Sequence, residues 1–392
     1  MNPANVSTGI NYARDIVAGN TPACEQIKKA CHNFLKELDT APEGYQFSRQ
    51  HAAKALAFIQ HLKHTKGHTA GEQFYLLPWQ AWIIINLFGW IDVEGLRRFS
   101  KAYIAVPRKN GKSTLAAAIM LYFLIADGEA AAECYTVATK MEQAKIIWEE
   151  AYRMAQDSPV IGDELKYANS DRIKYLKFER SELKPLVSED KTLDGLNPHA
   201  VALDEYHAHR NDNSFNVLLT GMGARKQPMM FTVTIAGFGQ NSPALKYQRY
   251  CEKVIFGQVH DPNTFAAIWT IDQADQWTDP SVWQKANPNW GISVNPKKLH
   301  QDFREAQEMA HKEVEFKTKY LNIWTDSAVT WIQDAKWMLG NKPLPAAHEL
   351  AKMPCYAGLD LGSTSDLTHS CAYGTAAMRY MCSLRSGYPK IQ

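Results

Sequence analysis

The sequence predicts an α/β fold, a parallel sheet with helices on both faces, built around a phosphate-binding loop. Three observations carry this. Between about residues 100 and 240, short apolar segments alternate with longer segments of helical spacing, as β-α-β units do. One apolar segment, "AYIAV" (Ala102–Val106), runs through "PRKNGKS" into the helix-forming "STLAAAIMLYFLIA". Another, "AVALDE", ends on two carboxylates, Asp204 and Glu205, at the strand end where open α/β sheets bind ligands.

Composition sets the outer limits. The chain has 392 residues, 45% hydrophobic, with 11 Trp and 17 Tyr. That suffices for a substantial core and suggests two or three units rather than one. A formal net charge of +2 excludes a uniformly basic surface, so any nucleic-acid contact must come from local patches. Seven cysteines without a repeated spacing argue against a disulfide framework and for a reducing compartment. Cys24, Cys31 and His32 lack the second half that a metal site needs. The N-terminus "MNPANVSTGINYARDIV" has no apolar signal core, and no apolar run is long enough to cross a bilayer. The expectation is a soluble protein of the cytoplasm with no membrane partner.

In chain order, residues 1–70 read as a helical region: "ACEQIKKACHNFLKELD" and "SRQHAAKALAFIQHLKHT" carry apolar residues at helical spacing. His61, His64 and His68 would share one face if the second helix ran on, as a solvated or DNA-facing cluster, but Gly67 is a stop signal. Residues 71–260 read as the nucleotide domain. "LLPWQAWIIINLFGW" opens it, the loop follows, then strand "ECYTVAT", helix "KMEQAKIIWEEAYRMAQDS", strand "NPHAVALDEYHAH" and strand "PMMFTVTIAG". Residues 261–350 are more helical and tryptophan-rich, a linker or lid. Residues 351–392 open with a last apolar strand, "CYAGLDLG" (Cys355–Gly362). No repeat or low-complexity tract interrupts the chain.

The loop implies ATP chemistry. The pattern G-x-x-x-x-G-K-[ST] is kept at Gly111, Lys112 and Ser113, whereas Val106 stands at its first glycine. Lys112 places an ammonium on the β- and γ-phosphates, Ser113 holds Mg²⁺, and backbone N–H groups from Lys109 to Lys112 surround phosphate oxygens at a helix N-terminus. A G-K-[ST] tripeptide is common, and a plain surface turn is the competing explanation. The second strand shifts the balance. Asp204 at its end completes the Mg²⁺ shell, and Glu205 orients and deprotonates the attacking water. Two acids at a strand end could instead cap a helix, but not as readily with Lys112 upstream. The chain between the motifs has room for an extra β-α unit, the pattern of ATPases that use a strand-borne glutamate as base.

These residues resemble the large subunit of tailed-bacteriophage terminase, the motor that pumps DNA into proheads. "VPRKNGKS" looks like that family's variant phosphate loop, in which the first glycine is often replaced. The resemblance implies a nucleotide set of Gln80, Lys109, Asn110, Gly111, Lys112, Ser113 and Thr114, with Gln80 of "LLPWQ" reading the adenine edge. It places Arg108 as a γ-phosphate sensor and "TVTIAG" as a coupling motif carrying Thr234 and Gly237. "TDPSVWQKANPNWGISV" (Thr278–Val294) and "EFKTKYLNIWTDSAVTWI" (Glu315–Ile332) resemble the motor-to-nuclease segments of the HK97-like branch.

"GLDLGSTSDLT" resembles the first strand of an RNase-H-like nuclease, with Asp360 and Asp366 in metal-binding positions. After Thr368 the resemblance ends, and the tail reads as the product of a frameshift or truncation. The strand Cys355–Leu361 is therefore expected to lack neighbours, and the nuclease activity to be lost. The family's partners follow by implication: double-stranded DNA, a terminase small subunit, a portal on the prohead, and a homo-oligomeric ring, a pentamer, in the host cytoplasm. A neighbouring subunit would then lend an arginine to each site, with Arg153, Arg172, Arg180 and Arg225 as candidates. The alternative reading is a non-enzymatic prophage remnant that at most binds nucleotide or partners.

Overall fold

The computed structural model describes residues 3–168, 171–178, 180–189, 193–326 and 338. It describes 355–360, 368–376 and 379–387 as backbone. Its main sheet has eight strands in chain order: β1 (Lys101–Ala105), β2 (Glu133–Ala138), β3 (Leu165–Ala168), β4 (Arg172–Tyr175), β5 (Glu182–Val187), β6 (Pro198–Asp204), β7 (Met229–Thr234) and β8 (Thr264–Ile268). In space the order is β8-β1-β7-β6-β2-β5-β4-β3. The pairs from β8 to β5 are parallel, and β4 and β3 close the far edge as an antiparallel hairpin. One strand, β7, thus separates β1, which leads into the loop, from β6, which carries the two acids. The β-α unit that the spacing between loop and acids allowed is a different one, β2 with the helix Met141–Gln156.

Period-two alternation assigns each strand residue to a face. Ala102 and Ile104 of β1, with Ala200 and Ala202 of β6, join one core; Tyr103 and Ala105, with Val201 and Leu203, join the other. All seven residues of β6 are buried, as a central strand covered on both faces requires. The first core takes in helices α1 (Val6–Val17), α2 (Glu25–Asp39), α3 (Arg49–Gln60), α4 (Pro78–Gly89) and α5 (Lys112–Ile125). Helix α5 is buried from Leu115 through Leu124, so its all-round apolar sequence reflects a central position rather than a lipid one.

Helix α3 ends at Gln60, and His61 caps it. His64 leaves the helix and packs edge-on against Phe74 at 4.7 Å. The three histidines of that stretch therefore do not form one helical face. Residues 271–321 build a third core around Trp283, Phe303 and Phe316. Residues Met1–Trp331 form one compact unit and Ile332–Gln392 another.

In that second unit, β9 (Cys355–Asp360), β10 (Thr368–Ala376) and β11 (Arg379–Gly387) make an antiparallel sheet in the order β9-β10-β11. Cys355 pairs with Gly374 and Asp360 with His369, and Thr368 pairs with Gly387. This corrects the expectation of a strand without neighbours. The residues from Thr368 onward supply its partner, β10, which pairs in turn with β11, because an edge strand's free N–H and C=O groups are satisfied by pairing even where sequence alternation is weak. Among the described residues, no helix is long and apolar enough to cross a membrane.

Candidate nucleotide site

Strand β1 continues past Ala105 into the 106–113 loop. Val106 is fully buried, and its N–H donates to Thr234 O at 3.2 Å. It prolongs the contact with β7, and its φ is not in the left-handed region that favours glycine. The glycine usual at that position is not needed here. Gly111 differs: its φ of 77° lies in the left-handed region, and a Cβ there would face the Gln80 and Asn289 carboxamides at 3.7 and 3.8 Å. The next residue, Lys112, opens α5. Ser113 and Thr114 follow on its half-buried first turn, where backbone N–H groups have no helical partner and attract anions.

Asn110 holds the loop's shape from inside. It is fully buried, and its Nδ2 donates to Pro107 O at 3.1 Å and to Asn287 Oδ1 at 3.0 Å. Its Oδ1 accepts from the Asn289 N–H at 3.0 Å. Asn289 in turn accepts from Trp79 Nε1 at 2.6 Å and donates to Ser293 Oγ at 2.8 Å, and Ser293 donates to Lys109 O. The Arg108 N–H donates to Lys319 O at 2.9 Å, leaving the Arg108 side chain exposed. The loop is thus clamped by residues almost two hundred positions downstream (Asn289 is 179 residues from Asn110). Their asparagines were quoted from the sequence but given no role, since a lone Asn carries no signal until its partner is known.

Gln80 is buried and caps α4, its Oε1 accepting from the Leu77 N–H at 2.9 Å. Its Nε2 is the group that faces Gly111.

At the end of β6, Asp204 is 2% exposed and has no ion-pair partner among the described residues. Burial pushes its carboxyl above the usual range, with Lys112 opposing and Glu205 adding to the rise. Glu205 follows in the left-handed region, φ 50°, a conformation that costs a non-glycine residue about 1–3 kcal/mol and clusters at functional sites. Its Oε1 accepts from Lys112 Nζ at 2.8 Å, and its Oε2 lies 3.1 Å from His207 Nδ1. Burial works against its charge, but His207 and Lys112 together hold its carboxyl well below the ordinary range.

His207 is the residue that sequence reasoning missed. Its backbone N–H donates to Thr234 Oγ1 at 3.0 Å and its ring Nδ1 lies 3.2 Å from the same oxygen. Gly237 faces it: a Cβ there would stand 3.1 Å from His207 Cβ and 3.2 Å from the Trp324 ring. The signal was present, as "DEYH" puts a histidine two residues past Glu205, but the sequence does not reveal that the chain turns there.

Of the arginine candidates, Arg225 is spent locally on Glu129, Asn197 O and Ala131 O, and Arg172 pairs with Glu182. Arg153 is exposed beside Glu149, and Arg180 is exposed. Asp366 and the side chain of Asp360 lie outside the described residues.

A parallel sheet with a lysine loop after β1, two acids after β6 and β7 between them is the strand-inserted phosphate-loop NTPase fold. The chain belongs to the terminase large-subunit family. Residues 78–253 match the family model "Terminase large subunit, ATPase domain", and residues 258–381 match "Terminase large subunit, endonuclease domain". The second match continues past Thr368, where the sequence resemblance was expected to end.

The large terminase subunit of Enterobacteria phage HK97 is 26% identical over 322 residues, 80% of this chain and 60% of that protein. Protein YmfN of Escherichia coli (strain K12) is 36% identical over 174 residues, 44% of this chain and 38% of that protein. The chain therefore spans less than two thirds of either relative. The crystal structure of the HK97 bacteriophage large terminase superposes with a TM-score of 0.60 at 22% identity, covering 86% of this chain and 67% of that one. That likeness is one of fold.

Proposed function

We propose that the protein is the ATP-hydrolysing motor subunit of a DNA-packaging machine, driving double-stranded DNA into a prohead. The observation that carries this is the convergence of Lys112, Asp204 and Glu205 at the loop end of β1 and β6. Lys112 binds phosphate oxygens and neutralises their charge. Backbone N–H groups of Lys109–Lys112, with Ser113 and Thr114, receive the rest of the phosphate chain, and Gln80 lies within the same cradle to read the base. Arg108, exposed beside the loop, is free to turn toward the γ-phosphate. Glu205, kept ionised, accepts a proton from the attacking water.

Mg²⁺ fits the donor set. Asp204 is a buried carboxylate without a cation, and Ser113 offers a hydroxyl on the facing helix turn. Among the described residues no cluster of three or more His, Cys, Asp and Glu could hold a metal. Mg²⁺ keeps waters and substrate phosphates as ligands and takes one or two protein groups, which Asp204 and Ser113 would supply. When bound, the ion neutralises charge developing on the phosphates.

Thr234 and Gly237, beside this site, would couple it to movement of DNA. The DNA contact is to phosphates and shape, hence salt-sensitive and sequence-tolerant. The working form is a ring, a pentamer on a portal fed by a small subunit, in the host cytoplasm. From Asp360 onward these 392 residues hold two acids, Asp360 and Asp366. Two-ion cleavage of DNA needs three or four converging carboxylates, so a polypeptide of residues 1–392 should not nick plasmid with Mg²⁺ or Mn²⁺. Nicking abolished by Asp360→Ala would overturn that part.

The deciding experiment is steady-state phosphate release with and without double-stranded DNA. Mg²⁺-dependent turnover that DNA stimulates supports the motor; nucleotide binding without turnover in either condition would favour a non-enzymatic remnant.

A further inference from the structure

Nothing so far explains why a histidine stands between Glu205 and the Thr234–Gly237 segment. With the proton on Nδ1, the tautomer that a neighbouring carboxylate favours, the ring has two acceptors within reach, Glu205 Oε2 at 3.1 Å and Thr234 Oγ1 at 3.2 Å. The alignment suits Thr234, and Glu205 Oε2 is at ion-pair distance without a hydrogen bond. Thr234 can take the bond without loss. Its hydroxyl donates to Ile235 O at 3.0 Å, leaving two lone pairs. One accepts the His207 backbone N–H, and the other is available to the ring. One donor facing two competing acceptors is a two-position element, the physical requirement for coupling two sites.

The chain beyond His207 is packed so that its position matters. Gly237 has no side chain, and the space a Cβ would fill is closed by His207 on one side and Trp324 on the other. Trp324 Nε1 donates to Gln248 Oε1 at 2.9 Å. The segment around Trp324 is tied to the same place by Ala236 N to Asn322 Oδ1 at 2.5 Å and Gly239 N to Thr325 O at 2.9 Å. Asn322 is itself in the left-handed region, φ 58°. A ring that shifts toward or away from Glu205 therefore presses on the backbone at Gly237 and on the Trp324 ring.

We infer that His207 is a positioning residue that transmits the position of Glu205 to the Thr234–Gly237 segment and on to residues 321–326. A phosphate oxygen competing for Lys112 would take one cation from Glu205 and alter its claim on the His207 N–H. The ring then moves between its two acceptors, and Gly237 and Trp324 follow. The inference rests on the proposed ATPase reading.

The test uses the full chain with ADP and with a non-hydrolysable ATP analogue. Hydrogen exchange is followed in peptides covering residues 318–326, alongside kcat, KM and analogue affinity. In the unmutated protein, exchange there should differ between the two nucleotides. His207→Ala should keep analogue affinity within about threefold, lower kcat by about tenfold or more, and abolish the nucleotide-dependent difference. His207→Gln, which keeps an N–H donor, should restore part of both.

His207→Ala with unchanged kcat and an unchanged exchange difference would overturn the inference while leaving the ATPase reading intact. So would Ala and Gln variants that lose nucleotide affinity and thermal stability alike, since that marks a purely structural role. An unmutated protein that binds no nucleotide would overturn both.

Discussion

Lys112 Nζ stands 2.8 Å from Glu205 Oε1, although 93 residues separate them in sequence. The contact spans two strands that are not neighbours, since β7 lies between β1 and β6. It brings the group suited to bind a phosphate chain against the group suited to activate water, with side-chain exposures of 10% and 18%. In so little water the pair is weakly screened, and Lys112, with His207, keeps Glu205 ionised.

Glu205→Gln should therefore bind ATP about as well as the unmutated protein and lose turnover by about a hundredfold or more, because the amide accepts no proton. Lys112→Ala should weaken binding and turnover together. Filter binding of ATP beside phosphate release separates the two effects. Unchanged turnover in Glu205→Gln would place the base elsewhere.

Asn289→Ala should loosen the 106–113 loop from behind. It strips Trp79 Nε1 of its acceptor and the exposed Ser293 of a donor, and the buried indole N–H left unpaired costs about 1–3 kcal/mol. The melting temperature should fall and ATP affinity should drop by about tenfold. Calorimetry that finds ATP affinity unchanged at a lowered melting temperature would show that the clamp supports the fold but not the site.

Gln80 has two separable tasks. Its Oε1 caps α4, while its Nε2 faces Gly111. Gln80→Ala should cost about 1 kcal/mol of cap and also reduce the preference for ATP over GTP. Gln80→Glu keeps an acceptor for the Leu77 N–H but loses the amide donor, so it should alter the ATP/GTP ratio with little loss of stability. Competition binding in which Gln80→Glu keeps the original ratio would reduce Gln80 to a helix cap.

Asp261 gives a pH signature far from the site. Burial opposes its charge, but hydrogen bonds from Lys101 at 2.8 Å, Thr264 at 2.7 Å and Tyr250 at 2.7 Å outweigh that and hold its carboxyl down at about 2. A carboxyl lower in the folded than in the unfolded chain stabilises above the unfolded value, near 4. That contribution is lost as pH falls from about 4 to about 2. With solvent screening it is on the order of 1 kcal/mol. Urea midpoints of Asp261→Asn should lie below those of the unmutated protein at pH 7 and converge toward them at pH 3. A gap that stays constant with pH would show that the network does not act through this charge.

The sequence by itself determined the sheet, the loop and the acids. Strand periodicity, a G-K-S at a helix start and a carboxylate pair at a strand end are local signals, each read within about ten residues, and the spacing between loop and acids left room for β2 and the helix after it. The linker resemblance also held a real feature: "NPNWGIS" (Asn287–Ser293) supplies the asparagines that grip Asn110.

Tertiary structure decided what those local signals could not. The pairing of β9 with β10, and of β10 with β11, was missed because edge strands with weak alternation are stabilised by backbone bonds, which carry no side-chain pattern. The three histidines after α3 separated because the helix stopped at Gln60, earlier than its apolar spacing implied. His207 acquired its place only when the turn at Glu205 set its ring between a carboxylate and a threonine from the neighbouring strand. A hydrogen bond between residues 27 positions apart depends on where two strand ends meet, and only the folded sheet fixes that meeting.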